Sequence, residues 1–366
     1  MIARQRIAYV INSMEGGGAA LPVPAVTSVL RDQGATVRVF ALTGRDRRAL
    51  SSMEKAGLDP VVRDGGERDH LAAARWLSHQ LRAWGATHVW TSLSRATLLG
   101  LVVGPHLGMP VICWQHAAYL KPWNRRLLHI LQSRALLWVG DSRSVTELTA
   151  DRLGVDKGRL VTWPIYAADP NMPIARGWQP GEPVRIGSLG RLHPVKGYDV
   201  LISALSLLQA GGFAPPAPFE IAIAGEGAER ERLESMVKAA GIENFALSGY
   251  TDDPRAFLAQ RHLYLQPSRS EGFCIAAHEA LTAGLPVVAS AVGELPHSIV
   301  EGQTGYCVRP NDAASLADAL VKVLSNPARL SAMGQMARND MLARYSEEQF
   351  EAIGSAIWRR ILQASA

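Results

Sequence analysis

The run Ser270-Glu271-Gly272-Phe273-Cys274-Ile275-Ala276-Ala277-His278-Glu279-Ala280-Leu281, preceded by Leu263-Tyr264-Leu265, decides how this chain is read. Leu263 to Leu265 is apolar and reads as a buried strand. The longer run forms a helix that stops at Ala283-Gly284, with Pro286 just beyond. Glu271 then stands in the turn and Glu279 inside the helix. At 1.5 Å of rise per residue their carboxylates are spaced about 12 Å along the axis. Two carboxylates that act as the pair of a retaining glycosidase stand about 5 Å apart. The wider spacing suits two grips on one long ligand. Between them, Gly272 to Ile275 carry the N–H groups of a helix start, which attracts phosphate. A plain solvated helix would explain a first-turn acid and an exposed glutamate. This helix, however, is poor in charge and rich in Ala, Ile and Leu, so Glu279 is half-buried and needs a partner.

A second glycine-rich segment lies 75 residues earlier: Gly190-Arg191-Leu192-His193-Pro194-Val195-Lys196-Gly197. It follows the strand-like run Val184 to Ser188. Two cations beside glycines at a strand's carboxyl end suit a diphosphate. Glu271, seven residues and Glu279 resemble the E-x7-E motif of retaining glycosyltransferases of GT-B fold, especially glycosyltransferase family 4. The Gly190 to Gly197 segment resembles that family's G-R-L-x-x-x-K-G. The resemblance is clear over residues 184–324 and looser before them.

The resemblance implies an α/β fold of GT-B type, with two doubly wound Rossmann-like domains facing across a cleft. It implies roles for residues as well. Arg191 and Lys196 hold the donor's diphosphate and stabilise it as it leaves, with Gly190 beside them. Glu279 binds the ribose hydroxyls. Glu271 and the N–H groups of Gly272, Phe273, Cys274 and Ile275 grip the donor sugar. Gly225-Glu226-Gly227 and the Gly249-Tyr250 turn line the nucleotide pocket, with Tyr250 near the base. Ordinary strand-to-helix turns would read the same way. His116 resembles the family histidine that touches the donor sugar near the reacting carbon. The family often has Asp or Asn close to this histidine; Ala117-Ala118 follow here.

The rest of the chain fits two domains. Strand-like and helix-like runs alternate: Arg6 to Asn12, a helix from Ala19 to Gln33 interrupted early by Pro22 and Pro24, then Thr36 to Leu42. They continue with the helix His70 to Trp84, Thr87 to Leu93, Pro110 to Gln115, Leu136 to Gly140 and the helix Val145 to Leu153. Such alternation predicts a parallel doubly wound sheet. Thr162 to Pro183, rich in proline, reads as the linker. Alternation restarts at Val184 to Ser188 and continues at Glu220 to Ala224, Phe245 to Ser248, Leu263 to Leu265 and Pro286 to Ser290. The predicted domains are 1–170, acceptor-side, and 171–345, donor-binding. By resemblance a helix over 346–366 crosses back onto the first.

Glu15-Gly16-Gly17-Gly18 follows the first strand, where glycines let backbone approach a phosphate. As a dinucleotide fingerprint it fails, because Leu21 stands where the third glycine belongs and no acid ends the second strand. By resemblance Gly16, Gly17 and Gly18 close over the donor's phosphate or sit by the acceptor. Ser142 and Arg143 hold a similar rim position after Gly140.

Charge separates the halves. Residues 1–170 hold 21 Lys and Arg against 13 Asp and Glu; the remainder holds 17 against 20. The basic half has no zinc-finger spacing, RNP-type motif or lysine-rich tail, which argues against nucleic acid. An anionic membrane surface is the better partner. Ala118 to Trp138, with Lys121, Trp123, Arg125, Arg126, Arg134 and Trp138 among leucines, reads as a helix suited to a membrane interface, or equally as a core-packed helix with a solvated basic face. Arg45, Arg47 and Arg48 add to the same charge. No apolar run reaches the length of about 18 residues that spans a membrane. The start of the chain shows no signal-peptide pattern, and Cys113, Cys274 and Cys307 form neither a disulfide framework nor a zinc site. The expected location is the cytoplasm, peripheral on the inner face of the plasma membrane. With no D-x-D, no obligatory divalent metal and no cofactor are expected. The donor is a nucleoside-diphosphate sugar, and the acceptor a saccharide or lipid-linked saccharide. The layout of His116, Ser142, Lys196, Glu271 and Glu279 is similar to bacterial exopolysaccharide mannosyltransferases, which implies GDP-mannose. Other readings are a nucleotide-sugar epimerase, a phosphorylase, or a non-catalytic nucleotide- or carbohydrate-binding module.

Overall fold

A computed structural model describes residues 5–116 and 120–365. The chain divides into two compact units. One takes residues up to Tyr166 together with the stretch from Glu348; the other runs from Ala167 to Glu347.

The first unit begins β1 (Arg6–Ile11), α1 (Val23–Asp32), β2 (Thr36–Ala41), α2 (Leu50–Lys55), β3 (Val61–Val62), α3 (His70–Trp84) and β4 (His88–Ser92). It continues α4 (Ser94–His106), β5 (Val111–Gln115), α5 (Pro122–Leu131), β6 (Leu137–Gly140), α6 (Arg143–Leu153) and β7 (Leu160–Thr162). The sheet order is β3-β2-β1-β4-β5-β6-β7, and every pair is parallel. β4, β5 and β6 are buried along their whole length, as the central strands of a sheet covered on both faces must be.

Four readings of this half need correction. α1 starts at Val23, not Ala19, because Pro22 and Pro24 lack the N–H that a helix interior needs but are tolerated in its first turn. The short α2 and β3 carry too few residues for a period to register. The assumed linker opens on Thr162, the last residue of β7, and its Trp163 is fully buried, stacked on Trp114 at 5.0 Å. Trp138 does not belong to a basic helix. It is a buried residue of β6, and its indole N–H donates to the Gln132 carbonyl at 3.1 Å. Ala117 and Ala118 lie outside the described residues.

The second unit holds β8 (Val184–Leu189), α7 (Tyr198–Ala210), β9 (Phe219–Ala224), α8 (Arg230–Ala239), β10 (Phe245–Gly249), α9 (Pro254–Ala259) and β11 (Leu263–Gln266). It ends α10 (Ile275–Thr282), β12 (Val287–Ser290), α11 (Leu295–Ser298), β13 (Gly305–Val308), α12 (Ala313–Leu324) and α13 (Leu330–Arg344). Its order is β10-β9-β8-β11-β12-β13, again all parallel. β13 was not anticipated: Gly305-Tyr306-Cys307-Val308 is short and has no clean alternation. In each sheet the strand order reverses once, between β1 and β4 and between β8 and β11. A right-handed crossover on either side of that point sends helices to opposite faces, which leaves a crevice at the carboxyl ends of the two strands.

The last helix, α14 (Glu347–Ser365), packs on the first unit. Phe350 lies 5.2 Å from the Trp163 ring, and its carbonyl accepts from the Trp163 indole at 3.0 Å. Trp358 meets His88 edge-on at 5.2 Å. Burial of His88 pushes its pKa down to about 4. An unfolded histidine titrates near 6.5. Below that pH the unfolded chain takes up a proton that the folded chain refuses, so stability is complete above about 6.5 and is lost as pH falls towards 4. Thermal melts from pH 7 to pH 4.5 are expected to show a smaller fall in melting temperature for His88→Phe than for the wild type. Equal falls would mean that His88 does not report on the docking of α14.

Candidate active site

The crevice of the second unit is built from the loops after β8 and β11, which the reversal of strand order makes neighbours. The loop after β8 is pinned by Leu192, fully buried, whose N–H donates to the Glu226 carbonyl at 2.9 Å. A short turn over Pro194–Lys196 follows, capped by the His193 ring, which accepts from the Val195 N–H at 3.2 Å. Gly197 then takes φ +67, and a Cβ there would stand 2.0 Å from the Pro267 carbonyl oxygen. Only glycine allows both the backbone turn and the approach of the next loop. That approach carries Lys196 to Glu271: Nζ and Oε1 are 2.8 Å apart.

The same carboxylate oxygen accepts from Ser268 Oγ at 2.6 Å and from Gln266 Nε2 at 3.0 Å. Gln266 in turn accepts from the Tyr264 hydroxyl at 2.9 Å, and that hydroxyl accepts from the Leu189 N–H at 3.1 Å. Tyr264, Gln266 and Ser268 are all buried. This network ties the end of β8 to the end of β11 and fixes Glu271 from beneath. The sequence reading missed all three. The available signal was polar residues closing an apolar strand, where each buried polar group must find a partner. Burial pulls the Lys196 ammonium down, and the Glu271 carboxylate with its neighbours more than reverses this, so its pKa stands above the ordinary lysine value. Arg191 is exposed on the same loop.

The turn beyond Glu271 is also braced. The Gly272 carbonyl accepts from the Glu294 N–H at 3.0 Å. Phe273 is buried and stacks on the His278 ring at 3.9 Å, with the Tyr345 ring edge-on to it at 5.3 Å. His278 bonds the Cys274 carbonyl at 3.0 Å and Ser298 Oγ at 2.7 Å. α10 starts later than the sequence suggested. Its first residue is Ile275, and Cys274 precedes it as N-cap with φ +68. Gly272, Phe273 and Cys274 therefore form the approach to the helix and not its first turn. A non-glycine residue in the left-handed region is uncommon and carries strain, and here it sits in the turn between Glu271 and α10. Burial pushes the Cys274 thiol far up, so it stays protonated. Glu279 is half-buried on α10, and burial raises its pKa against the opposing charge of Arg255.

Gly225 and Gly227 face the loop after β8. A Cβ on either would stand 1.9 Å from the Gly190 carbonyl oxygen or 2.2 Å from that of Leu192. Their missing side chains make room for Gly190 to Leu192, a packing task the motif alone did not reveal. Gly190 itself borders the Tyr198 hydroxyl. Tyr250, just past β10, is exposed.

In the first unit three strand ends converge. The Ser92 hydroxyl lies 2.7 Å from His116 Nε2, and Asp141 Oδ2 lies 3.5 Å from Nδ1. Tyr9, buried on β1, also bonds Ser92. Ser92 is completely buried, so it orients the imidazole and cannot attack a substrate. The family often has Asp or Asn beside this histidine in the chain, where alanines stand here; Asp141 brings a carboxylate from the end of β6. Ser142 and Arg143, one and two residues on, have other tasks. Ser142 caps α6 by accepting from the Val145 N–H at 3.1 Å, and Arg143 pairs with Glu147 on the surface. In the loop after β1, the Gly16 N–H donates to Asp46 at 3.2 Å, and Gly17 opens a turn that its carbonyl closes with Ala20 and Leu21. Gly17 and Gly18 are exposed. Arg45 is held between Glu15 and Glu67.

A family model for glycosyl transferases group 1 matches residues 176–340, and one for glycosyltransferase family 4 matches residues 16–165. The chain belongs to the GT-B glycosyltransferases of family 4 type. It is 30% identical over 204 residues to the glycogen synthase of Mycobacterium tuberculosis, an alignment of 55% of this chain and 45% of that protein. It is 27% identical over 286 residues to the 2-deoxystreptamine N-acetyl-D-glucosaminyltransferase of Streptomyces fradiae, covering 72% of this chain and 66% of that one. The chain thus spans about half the length of the first curated relatives it matches, or less. In fold it is similar to the HepE protein of Anabaena, solved with UDP-glucose, at a TM-score of 0.84 and 18% identity over 98% of this chain and 100% of that one.

The family's two motifs thus meet in one side-chain contact, Lys196 to Glu271, and Gln266 is its deepest support. Gln266→Leu keeps the volume and removes two donors and an acceptor. Denaturant unfolding is expected to show a loss of about 1–3 kcal/mol, the cost of leaving buried polar groups unpaired. Wild-type stability in that variant would rule the network out as the support of Glu271.

Proposed function

We propose that the protein is a retaining, metal-independent hexosyltransferase that moves a sugar from a nucleoside diphosphate to an acceptor hydroxyl. The observation that carries this reading is Lys196 set 2.8 Å from Glu271 at the strand reversal of the second unit. A nucleoside-diphosphate sugar offers one group to each. Its diphosphate pairs with Lys196 and Arg191 and with the start of α10; its sugar hydroxyls bond Glu271 and the amides after it. Glu279, farther along α10, takes the ribose, and Tyr250 the base. Gly225 and Gly227 shape the nucleotide pocket. The Lys196–Glu271 pair keeps each charge partnered until a ligand replaces it.

When the bond between the sugar's anomeric carbon and the phosphate oxygen breaks, the electron pair stays on the diphosphate. Lys196, Arg191 and the helix start stabilise that charge more in the transition state than before it, which is the condition for acceleration. The acceptor oxygen bonds to the same face of the carbon and passes its proton to the leaving phosphate oxygen. No enzyme–sugar bond is needed. His116, oriented by Ser92 and Asp141, contacts the donor sugar. The first unit, with Gly16 to Gly18 at its first strand end, receives the acceptor: a saccharide hydroxyl, carried on a lipid at an anionic membrane face during polysaccharide or glycolipid assembly. The names of relatives support that setting, among them a lipopolysaccharide core mannosyltransferase of Rhizobium leguminosarum and a putative colanic acid glycosyltransferase of Salmonella typhimurium. Among the described residues no helix is long and apolar enough to cross a membrane.

Lys196→Ala and Glu271→Gln are expected to lower turnover of the donor by at least about 100-fold, the scale of removing one electrostatic group, with the fold retained by circular dichroism and a lowered melting temperature, because each leaves a largely buried group short of a partner. Wild-type turnover in both would refute the site. Conversion of the donor with no acceptor present would favour the epimerase reading instead. In a thermal-shift series with UDP, GDP, ADP and dTDP, GDP is expected to raise the melting temperature most, because a ligand that binds only the folded state stabilises it. A larger shift with another nucleotide would overturn the mannose assignment and leave the transferase reading standing.

A further inference from the structure

Within the first unit, the amphipathic helix α5 has an exposed face. Of its ten residues only Leu128 is buried. Trp123, Leu127 and Ile130 are 72%, 43% and 62% exposed. Steps of four and three residues set them in one stripe along the helix. A single exposed leucine needs no explanation, but three large apolar side chains in a row do. The charge along this segment has one sign. From Lys121 to Arg134 the sequence holds Lys121, Arg125, Arg126 and Arg134 and no acidic residue. The Arg126 guanidinium stands 6.0 Å from the Trp123 ring centre. Beside the stripe, α5 and α6 enclose an open groove of about 690 Å³, lined by Pro122, Arg125, Arg126, His129 and Arg152, with Asp151 as its one carboxylate. That is ample room for a phosphodiester headgroup.

We propose that α5 seats this protein on an anionic lipid surface, with Trp123, Leu127 and Ile130 sunk below the headgroups. Arg125 and Arg126 pair with lipid phosphates at the mouth of the groove. An indole and two aliphatic side chains bounded by arginines form the composition of a helix that lies in the interfacial layer. Charge decides the occupant. A second copy docked through this face about a twofold axis would set arginines against arginines, whereas a surface of phosphates complements them. The assignment names the element that meets the membrane. It stands independently of the chemistry at Lys196 and Glu271.

The test is co-sedimentation of the full chain with vesicles of phosphatidylcholine mixed with phosphatidylglycerol, and with phosphatidylcholine alone. Binding is expected to the mixed vesicles, weakened by salt and at least about tenfold lower in Trp123→Ser/Ile130→Ser and in Arg125→Glu/Arg126→Glu, as the loss of attraction per cation near a charged surface implies. Leu71→Ser, which removes an exposed apolar residue from α3, is expected to bind as wild type. All four substitutions on α5 are at exposed positions, and circular dichroism checks that the fold persists. Absence of binding, equal binding to both vesicles, or binding unchanged by the α5 variants would each overturn the proposal. So would a solution dimer that the Trp123→Ser/Ile130→Ser variant dissociates, since the face would then belong to a second copy. Nucleotide-induced thermal shifts in the same variants stay at wild-type values if α5 only docks, and this separates a failure here from a failure of the transferase reading.

Discussion

One carboxylate oxygen of Glu271 accepts three bonds, from Lys196, Ser268 and Gln266, and the crevice of the second unit is arranged around it. A charge this withdrawn from water is costly unless its partners are complete. Two loops 75 residues apart in sequence must therefore meet, and three features bring them together. The order of the sheet reverses between β8 and β11. Gly197 lets the first loop touch the Pro267 carbonyl. Tyr264 bonds the backbone of Leu189 across the two strands. A buried ion pair of this kind is poor evidence for stability, because an apolar pair of similar size would serve as well. It is better evidence for a site in which a charged ligand exchanges with one of the partners.

The first unit follows the same rule with different chemistry. Its strand ends deliver Ser92, His116 and Asp141 from three neighbouring strands, β4, β5 and β6. A hydroxyl hydrogen-bonded at 2.7 Å on one side orients the imidazole, and a carboxylate stands 3.5 Å away on the other. The second unit brings a cation and an acid into contact; the first sets an imidazole between a hydroxyl and a carboxylate. Basic residues gather in the first unit as well. Arg125 and Arg126 lie on a helix that leaves Trp123, Leu127 and Ile130 exposed.

The pattern of elements was legible wherever a period ran long enough. α3 occupies His70–Trp84, as its spacing predicts, and the strand runs of both halves lie within a residue or two of their observed ends. β3, β7 and β13 were missed, because two to four residues cannot display an alternation. The site was legible in its charged residues, since Lys196 and Glu271 belong to motifs with fixed spacing. Its supports were not. Gln266, Ser268 and Asp141 are single polar residues whose partners lie on other strands, and only the sheet order shows which strands adjoin. Two glycines were legible as a motif but not as a mechanism: Gly225 and Gly227 face the carbonyls of a neighbouring loop. Trp138 lies in the strand that Leu136 to Gly140 predicts and not in the basic helix its composition also suggested, because a tryptophan among arginines and leucines suits either.

The central claim is that Lys196 exchanges the carboxylate of Glu271 for the diphosphate of a nucleotide. A crystal structure of the chain with a bound nucleoside diphosphate tests it directly. The account predicts a phosphate oxygen about 3 Å from Lys196 Nζ, a normal charge-assisted hydrogen bond, with the ribose at Glu279. A nucleotide bound elsewhere, with Lys196 still held by Glu271 alone, would contradict it.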